Sequence, residues 1–458
     1  MNTFLKRKKK SIKASYVADM TKGNETEHLV RFSVPLLIGN VFQQFYNISN
    51  SMVVGKHIGD DALAGVGTVS GLTFLFFSMC IGLAIGVGII VAHAFGAGDN
   101  NQIKKAIGNS IYILGAVGSL MSILGVVFAK PILTFMDTPE DVMPYALTYM
   151  RIMCGGTIFV AAYNGISTIL RSLGDTKIPL IVLMIASLIN AVLDIVFVTK
   201  LEMGVAGAAL ATVSSQAFSA IVSILIAVRI NPYLRLKKEH YKFDKTIFIQ
   251  SAKIGIPIGL QNSMIAISIV ALQRVVNSFG PVTMAAFTAV SRIEQLIQGP
   301  FNSMGSAMST FTGQNLGIGD VDRVKTAFKK ATKLILGFSI CAYIIFLIGG
   351  EWVIGRFVSN PESVAMGAKA LRITGLFYIP LGLIYISRGV LNGAGDGRFA
   401  LITGIVEVIG RVGFSMLFVQ IPAIGVWGLW GTTGLTWFIT GVAGILRYKQ
   451  GKWKTMKL

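Results

Sequence analysis

The sequence predicts an all-α membrane protein: twelve transmembrane helices in two six-helix lobes related by a pseudo-twofold axis. Three observations carry this expectation. Of 458 residues 53% are hydrophobic and 14% charged, with a mean hydropathy of +0.67; a soluble domain has about 25% charged residues. Twelve apolar stretches follow one another along the chain, most of them long enough to cross a hydrocarbon core of roughly 30 Å. The chain also repeats itself at a fixed offset.

Residues 1–29 are polar and basic and lack an apolar h-region. They read as a cytoplasmic tail in contact with lipid headgroups, not as a cleaved signal peptide. Spans one to six are expected near 30–54, 63–94, 106–128, 145–170, 178–198 and 204–228, giving an N-lobe over 30–228. The segment 229–246, RINPYLRLKKEHYKFDKT, is the longest charged inner loop and reads as the linker between lobes. Spans seven to twelve are expected near 247–277, 284–312, 331–349, 367–391, 399–419 and 425–446, giving a C-lobe over 247–446. Residues 447–458 form a second cytoplasmic tail. The 51 glycines serve close helix approach and turns, as in GLAIGVG (82–88) and NGAGDG (392–397).

The net charge of +20 takes its meaning from its distribution. With the N-terminus inside, cytoplasmic segments hold most Lys and Arg, against Lys56, Lys130, Lys200, Arg356 and Lys369 in outer loops. This positive-inside pattern places both termini in the cytoplasm. The charge is therefore topogenic, and nucleic-acid binding is not expected. No GxxxxGK[ST] loop, nucleophile–base constellation or cofactor loop is present, so neither a nucleotide motor nor an enzyme is expected. Cys80, Cys154 and Cys341 sit in spans without a CxxC and read as small core residues. The four histidines show no ligand spacing, so no zinc or iron site is expected.

Shifting the sequence by 221 positions sets ALAGVGTVS (62–70) on TMAAFTAVS (283–291), LGDTKIPLI (173–181) on AGDGRFALI (394–402) and MGVAGAALAT (203–212) on IGVWGLWGTT (424–433). Pro35 falls on Pro257 at an offset of 222. Each half holds an even number of spans, so both insert in the same orientation. Such parallel repeats are related by an axis along the membrane normal, with a binding cavity between them.

Polar groups within the spans are costly and mark candidate sites. Gln43, Asn47 and Asn50 fall at i, i+4 and i+7 on one face of span one. The carboxylates are Asp194, Glu294 and Glu407. Asn190 precedes Asp194 by one helical turn, and Asn50 and Thr212 come to neighbouring depths. The set offers one acid and several neutral oxygens, suited to a proton or to Na⁺; the other reading is that Asp194 only ties helices together. Glu294, beside Arg292 and before Pro300, reads equally as substrate contact or as structure. Glu407 and Arg411, at i, i+4, read as a structural pair, the pair being cheaper to bury than either charge alone. Gln261, Gln298, Tyr46, Tyr163, Tyr378 and Tyr385 are candidates to line a cavity, and Arg151, Arg274 and Arg372 are further cations within spans.

The phrases PLLIGNVFQQFYN (35–47), VGKHIGDDALAGVG (54–67), LRSLGDTKIPL (170–180), NAVLDIVFV (190–198), GQNLGIGD (313–320) and LNGAGDGR (391–398) resemble the multidrug and toxic compound extrusion (MATE) family over about residues 20–450. The resemblance implies two six-helix lobes around a V-shaped cavity. It also implies export of cationic and amphipathic compounds in exchange for H⁺ or Na⁺, with no other cofactor and with a monomer as the working unit. The family's first-lobe ion site falls on Asn190, Asp194 and Thr212. The usual span-one aspartate is Asn50 here, and the glutamate of NorM-type members is Gln261. The pattern is closer to MepA-like and DinF-like branches. A lipid-linked precursor flippase of the wider superfamily and a dedicated metabolite exporter are the alternatives.

Overall fold

A computed structural model describes residues 17–421 and 424–456, so most of the basic tail expected at 1–29 lies outside the described residues. Their regular structure is all helical. The first half contains α1 (Glu25–His57), α2 (Asp60–Gly96), α3 (Asn100–Val127) and a short α4 (Ala129–Phe135). α5 (Met143–Gly155) and α6 (Thr157–Ser172) then form one span bent by 45°. α7 (Lys177–Ile195) is prolonged by a π-helical turn, Val196–Lys200, and α8 (Gly204–Ile230) closes the half. Two 3-10 turns, Pro232–Leu234 and Lys238–Tyr241, lie in the linker.

The second half repeats the order with α9 (Lys245–Asn277), α10 (Pro281–Gly317) and α11 (Val321–Ile354). The pair α12 (Pro361–Gly375) and α13 (Tyr378–Gly393) is bent by 52°, and α14 (Gly397–Val419) and α15 (Gly428–Gln450) follow. Eight helices are long and apolar enough to cross a membrane, and the two bent pairs raise this to ten. α1 and α10, with 33 and 37 residues, are as long but more polar, and they complete the twelve spans. These two helices carry Gln43, Asn47, Asn50, Glu294 and Gln298.

Spans four and ten, expected near 145–170 and 367–391, are each bent. The breaks fall at Gly156 and Phe377, which coincide under the 221-residue offset. Gly156 is packed so tightly that a Cβ there would strike the Val213 side chain. Cys341 corrects another expectation: Cys80 and Cys154 are buried, but Cys341 is exposed.

The turns show why the repeat survives in sequence. Gly98 and Gly319, at φ 73° and 81°, and Gly174 and Gly395, at φ 83° and 87°, are left-handed, a conformation cheap only for glycine. Each is followed by an aspartate that bonds the first turn of the next helix. Asp99 accepts from Asn101 N and Gln102 N, and Asp320 from Arg323 N. Asp175 accepts from Lys177 N and Ile178 N, and Asp396 from Phe399 N. The carboxylates satisfy amides that have no partner within the helix.

Two compact units result, one dominated by Val34–Gly259 and the other by Leu260–Lys457 with Gly23–Ser33. Their division falls inside α1 and α9. Within the first unit, α2 and the start of α9 approach through glycine: a Cβ on Gly82 would overlap the Gly259 amide nitrogen. Within the second, Glu25 pairs with Arg323 at 3.0 Å and Lys330 at 2.7 Å, tying the start of α1 to α11.

Candidate functional site

In the first unit the buried residues of α7 include Ile178, Val182, Ala186, Asn190 and Asp194, one every fourth position. Leu188, Val192 and Ile195, on the other faces, are exposed. A single inward stripe therefore carries an amide and an acid on its last two turns. Both are fully buried, and the π-helical turn starts two residues later. Asn50 on α1 and Thr212 on α8 are buried as well. Asn50 Nδ2 donates to Thr212 Oγ1 at 3.3 Å, and Thr212 donates to the Ala208 carbonyl at 3.1 Å.

The rest of this cluster is unsatisfied. Asn50 Oδ1, both polar atoms of the Asn190 amide and both carboxylate oxygens of Asp194 are buried without a hydrogen-bond partner. Each such group costs about 1–3 kcal/mol until a partner arrives. The hydroxyl of Tyr46 is in interaction range of Thr212 and that of Tyr149 in range of Asn50, and both rings feel the charge of Asp194. Tyr149, from α5, was not singled out in the sequence; nothing in TYMRIM distinguishes it from a core aromatic. Among the described residues no group of three or more His, Cys, Asp or Glu could hold a metal ion. The oxygens available suit a proton or a hard monovalent cation.

A small cleft in the same unit is lined by Gln43, Tyr46, Ser187, Ser215, Gln216 and Ser219, with Leu183 and Ala186. The amide face of α1 thus divides into three. Gln43 meets the cleft and Asn50 the buried cluster, while Asn47 is exposed.

In the second unit Glu407 lies 3.9 Å from Arg411, the partner expected from i, i+4 spacing. Its closer partner is Arg388 on α13, at 2.7 Å. Arg411 Nη1 also donates to Ser268 Oγ at 3.3 Å. Glu294 is nearly buried, with Oε1 unpartnered, and interacts with Thr374 and with the charge of Arg411. Tyr378 is fully buried against Phe346 and Trp437, its hydroxyl unpartnered. Tyr385 donates to Gln298 Oε1 at 3.0 Å, and Gln261 donates to Thr403. Arg151, Arg274 and Arg292 are exposed, and Arg372 lies 3.9 Å from Glu351.

A family model described as MatE matches the chain twice, over residues 35–196 and 257–417. The chain is 30% identical to the probable multidrug resistance protein YpnP of Bacillus subtilis, over 96% of this chain and 98% of that one. It is 25% identical to the multidrug export protein MepA of Staphylococcus saprophyticus, over 93% and 94%. Its fold superposes, at a TM-score of 0.88, 23% identity and coverage of 96% and 98%, on a multidrug resistance MATE family transporter of the MOP superfamily solved in an outward-facing conformation.

Proposed function

Because the chain belongs to the MatE family, whose members are multi-pass membrane transporters and not enzymes, we propose that it is an ion-coupled antiporter. It exports organic cations and amphipathic compounds across the cytoplasmic membrane, with both termini inside. The observation that carries this reading is Asp194, wholly buried, with neither carboxylate oxygen partnered, among Asn50, Asn190 and Thr212. An acid held this way gains a partner when a proton or Na⁺ arrives and is left exposed to its desolvation cost when the ion leaves. Occupancy therefore biases which state of the transporter is favoured, and the ion gradient drives export through that bias.

Gln43 and Tyr46 contact substrate in the first lobe, with Asn47 beside them on α1. Glu294, Gln298, Gln261 and Tyr378 are the second-lobe candidates. The carrier works as a monomer among membrane lipids. Ethidium efflux from liposomes, under an imposed proton gradient with and without Na⁺, tests the reading. Efflux on the proton gradient alone assigns proton exchange to Asp194 or to a carboxylate of the second lobe. Efflux that needs a Na⁺ gradient assigns the four residues to cation ligation. Efflux under neither gradient rejects the reading.

A further inference from the structure

The two halves differ in polarity at two positions of the repeat. The 221-residue offset sets Asn190 on Arg411 and Asp194 on Ser415. Span five presents an amide and an acid where span eleven presents a guanidinium and a hydroxyl. The reversal is not isolated. Arg411, Arg388 and Glu407 form a triad with side chains only 9%, 15% and 5% exposed, which is one carboxylate for two cations.

The triad is short of acceptors. Each guanidinium offers five N–H donors. Arg388 Nη2 uses one on Glu407 Oε1 at 2.7 Å, and Arg411 Nη1 uses one on Ser268 Oγ at 3.3 Å. Nε of Arg388 and Nε of Arg411 are buried and meet no acceptor. Glu294 is within electrostatic reach of Arg411, yet it makes no ion pair among the described residues. Tyr385 borders the triad and holds Gln298 by its carbonyl oxygen.

We infer that this triad is a subsite for an oxyanion carried by the substrate, so that the exporter takes amphiphiles bearing a carboxylate or phosphate as well as a cationic group. A second oxyanion balances two guanidiniums that one carboxylate leaves at a net positive charge, and it supplies the missing acceptors in a forked geometry. Buried charges stay favourable when paired and hydrogen-bonded. A purely structural triad, there to hold α13 against α14, gives no preference between a carboxylate and its ester. The inference rests on the export reading and refines its substrate class.

The test compares rhodamine 110, which has a free carboxylate, with rhodamine 123, its methyl ester. Fluorescence polarisation reports binding to the purified protein in nanodiscs. The wild type should bind the free acid at least about tenfold more tightly, a difference of about 1.4 kcal/mol. Arg388→Gln and Arg411→Gln should each collapse that ratio. Glu294→Gln, which keeps both guanidiniums and removes a competing charge, should widen it. Equal affinity of the wild type for the two dyes overturns the inference, as does a preference that survives both arginine changes. If the arginine variants do not fold, an unchanged ratio in Glu294→Gln overturns it. Gradient-driven efflux of rhodamine 123 by the wild type is measured alongside. Its loss rejects the export reading and leaves the binding ratio to judge the subsite separately.

Discussion

Asn50 and Thr212, 162 positions apart, join spans one and six through an amide-to-hydroxyl hydrogen bond of 3.3 Å. The bond holds the neutral part of the first-lobe cluster beside an acid whose own oxygens are unpartnered. Asn50 occupies the place of the aspartate that the family resemblance leads one to expect, so Asp194 is the single acid of the set. A double-mutant cycle of Asn50→Ala and Thr212→Ala measures the link. The two changes should be non-additive by about 0.5–1.5 kcal/mol in thermal or denaturant unfolding, the range of one buried neutral hydrogen bond. Full additivity means that the contact contributes nothing to the cluster.

Glu25 lies outside the spans, between Lys330 and Arg323. The hydrogen bond from Lys330, reinforced by Arg323, holds its carboxyl below the ordinary value of 4.5. A carboxylate depressed on folding adds stability that is present above its unfolded value and is lost as pH falls through the lower folded one. The melting temperature should therefore drop more steeply below about pH 5 in the wild type than in Glu25→Gln. Parallel acid limbs in the two proteins would show that the pairing is too weak to matter.

Asp175 behaves in the opposite sense. It is the repeat counterpart of Asp396, which pairs with Arg447 at 2.8 Å, but position 226 opposite it is Ile, not Arg. Burial pushes the Asp175 carboxyl up from 3.8 to about 6, against the two backbone amides and Lys177 that favour its charged form. A carboxyl raised on folding contributes stability that is complete below its unfolded value and is lost as pH rises through the folded one. The wild type should lose stability between about pH 4 and about pH 6, and Asp175→Asn should remove that slope while keeping an acceptor for Lys177 N and Ile178 N. A slope unchanged in the variant assigns it to another group.

Much of this was legible in the sequence, for physical reasons that can be named. Crossing a bilayer requires long apolar runs, so all twelve spans were legible as apolar stretches, including α1 and α10 despite their amides and charges. Left-handed glycines followed by capping aspartates accept few substitutes, which is why Gly98, Gly174, Gly319 and Gly395 kept the offset readable. Asp194 stood out because an acid in an apolar stripe has a cost that demands a reason. The bend at Gly156 was not legible because glycine serves packing as often as it breaks a helix, and nothing in TGLFY (374–378) marks Phe377 as a break. Arg388 was missed because its role comes from Glu407, nineteen positions later on another helix. Tyr149 was missed because an aromatic in a span carries no mark of the polar group it faces.

The measurement to make is ethidium efflux by Asp194→Asn in liposomes, set against the wild type under the gradient that drives the latter. The asparagine preserves shape and burial but cannot exchange a proton and offers no charge to Na⁺. We expect gradient-driven efflux to vanish while the purified variant still binds ethidium and unfolds at a temperature close to that of the wild type. Efflux at the wild-type rate in Asp194→Asn would remove this residue from ion coupling and, with it, the assignment of the first-lobe cluster as the ion site.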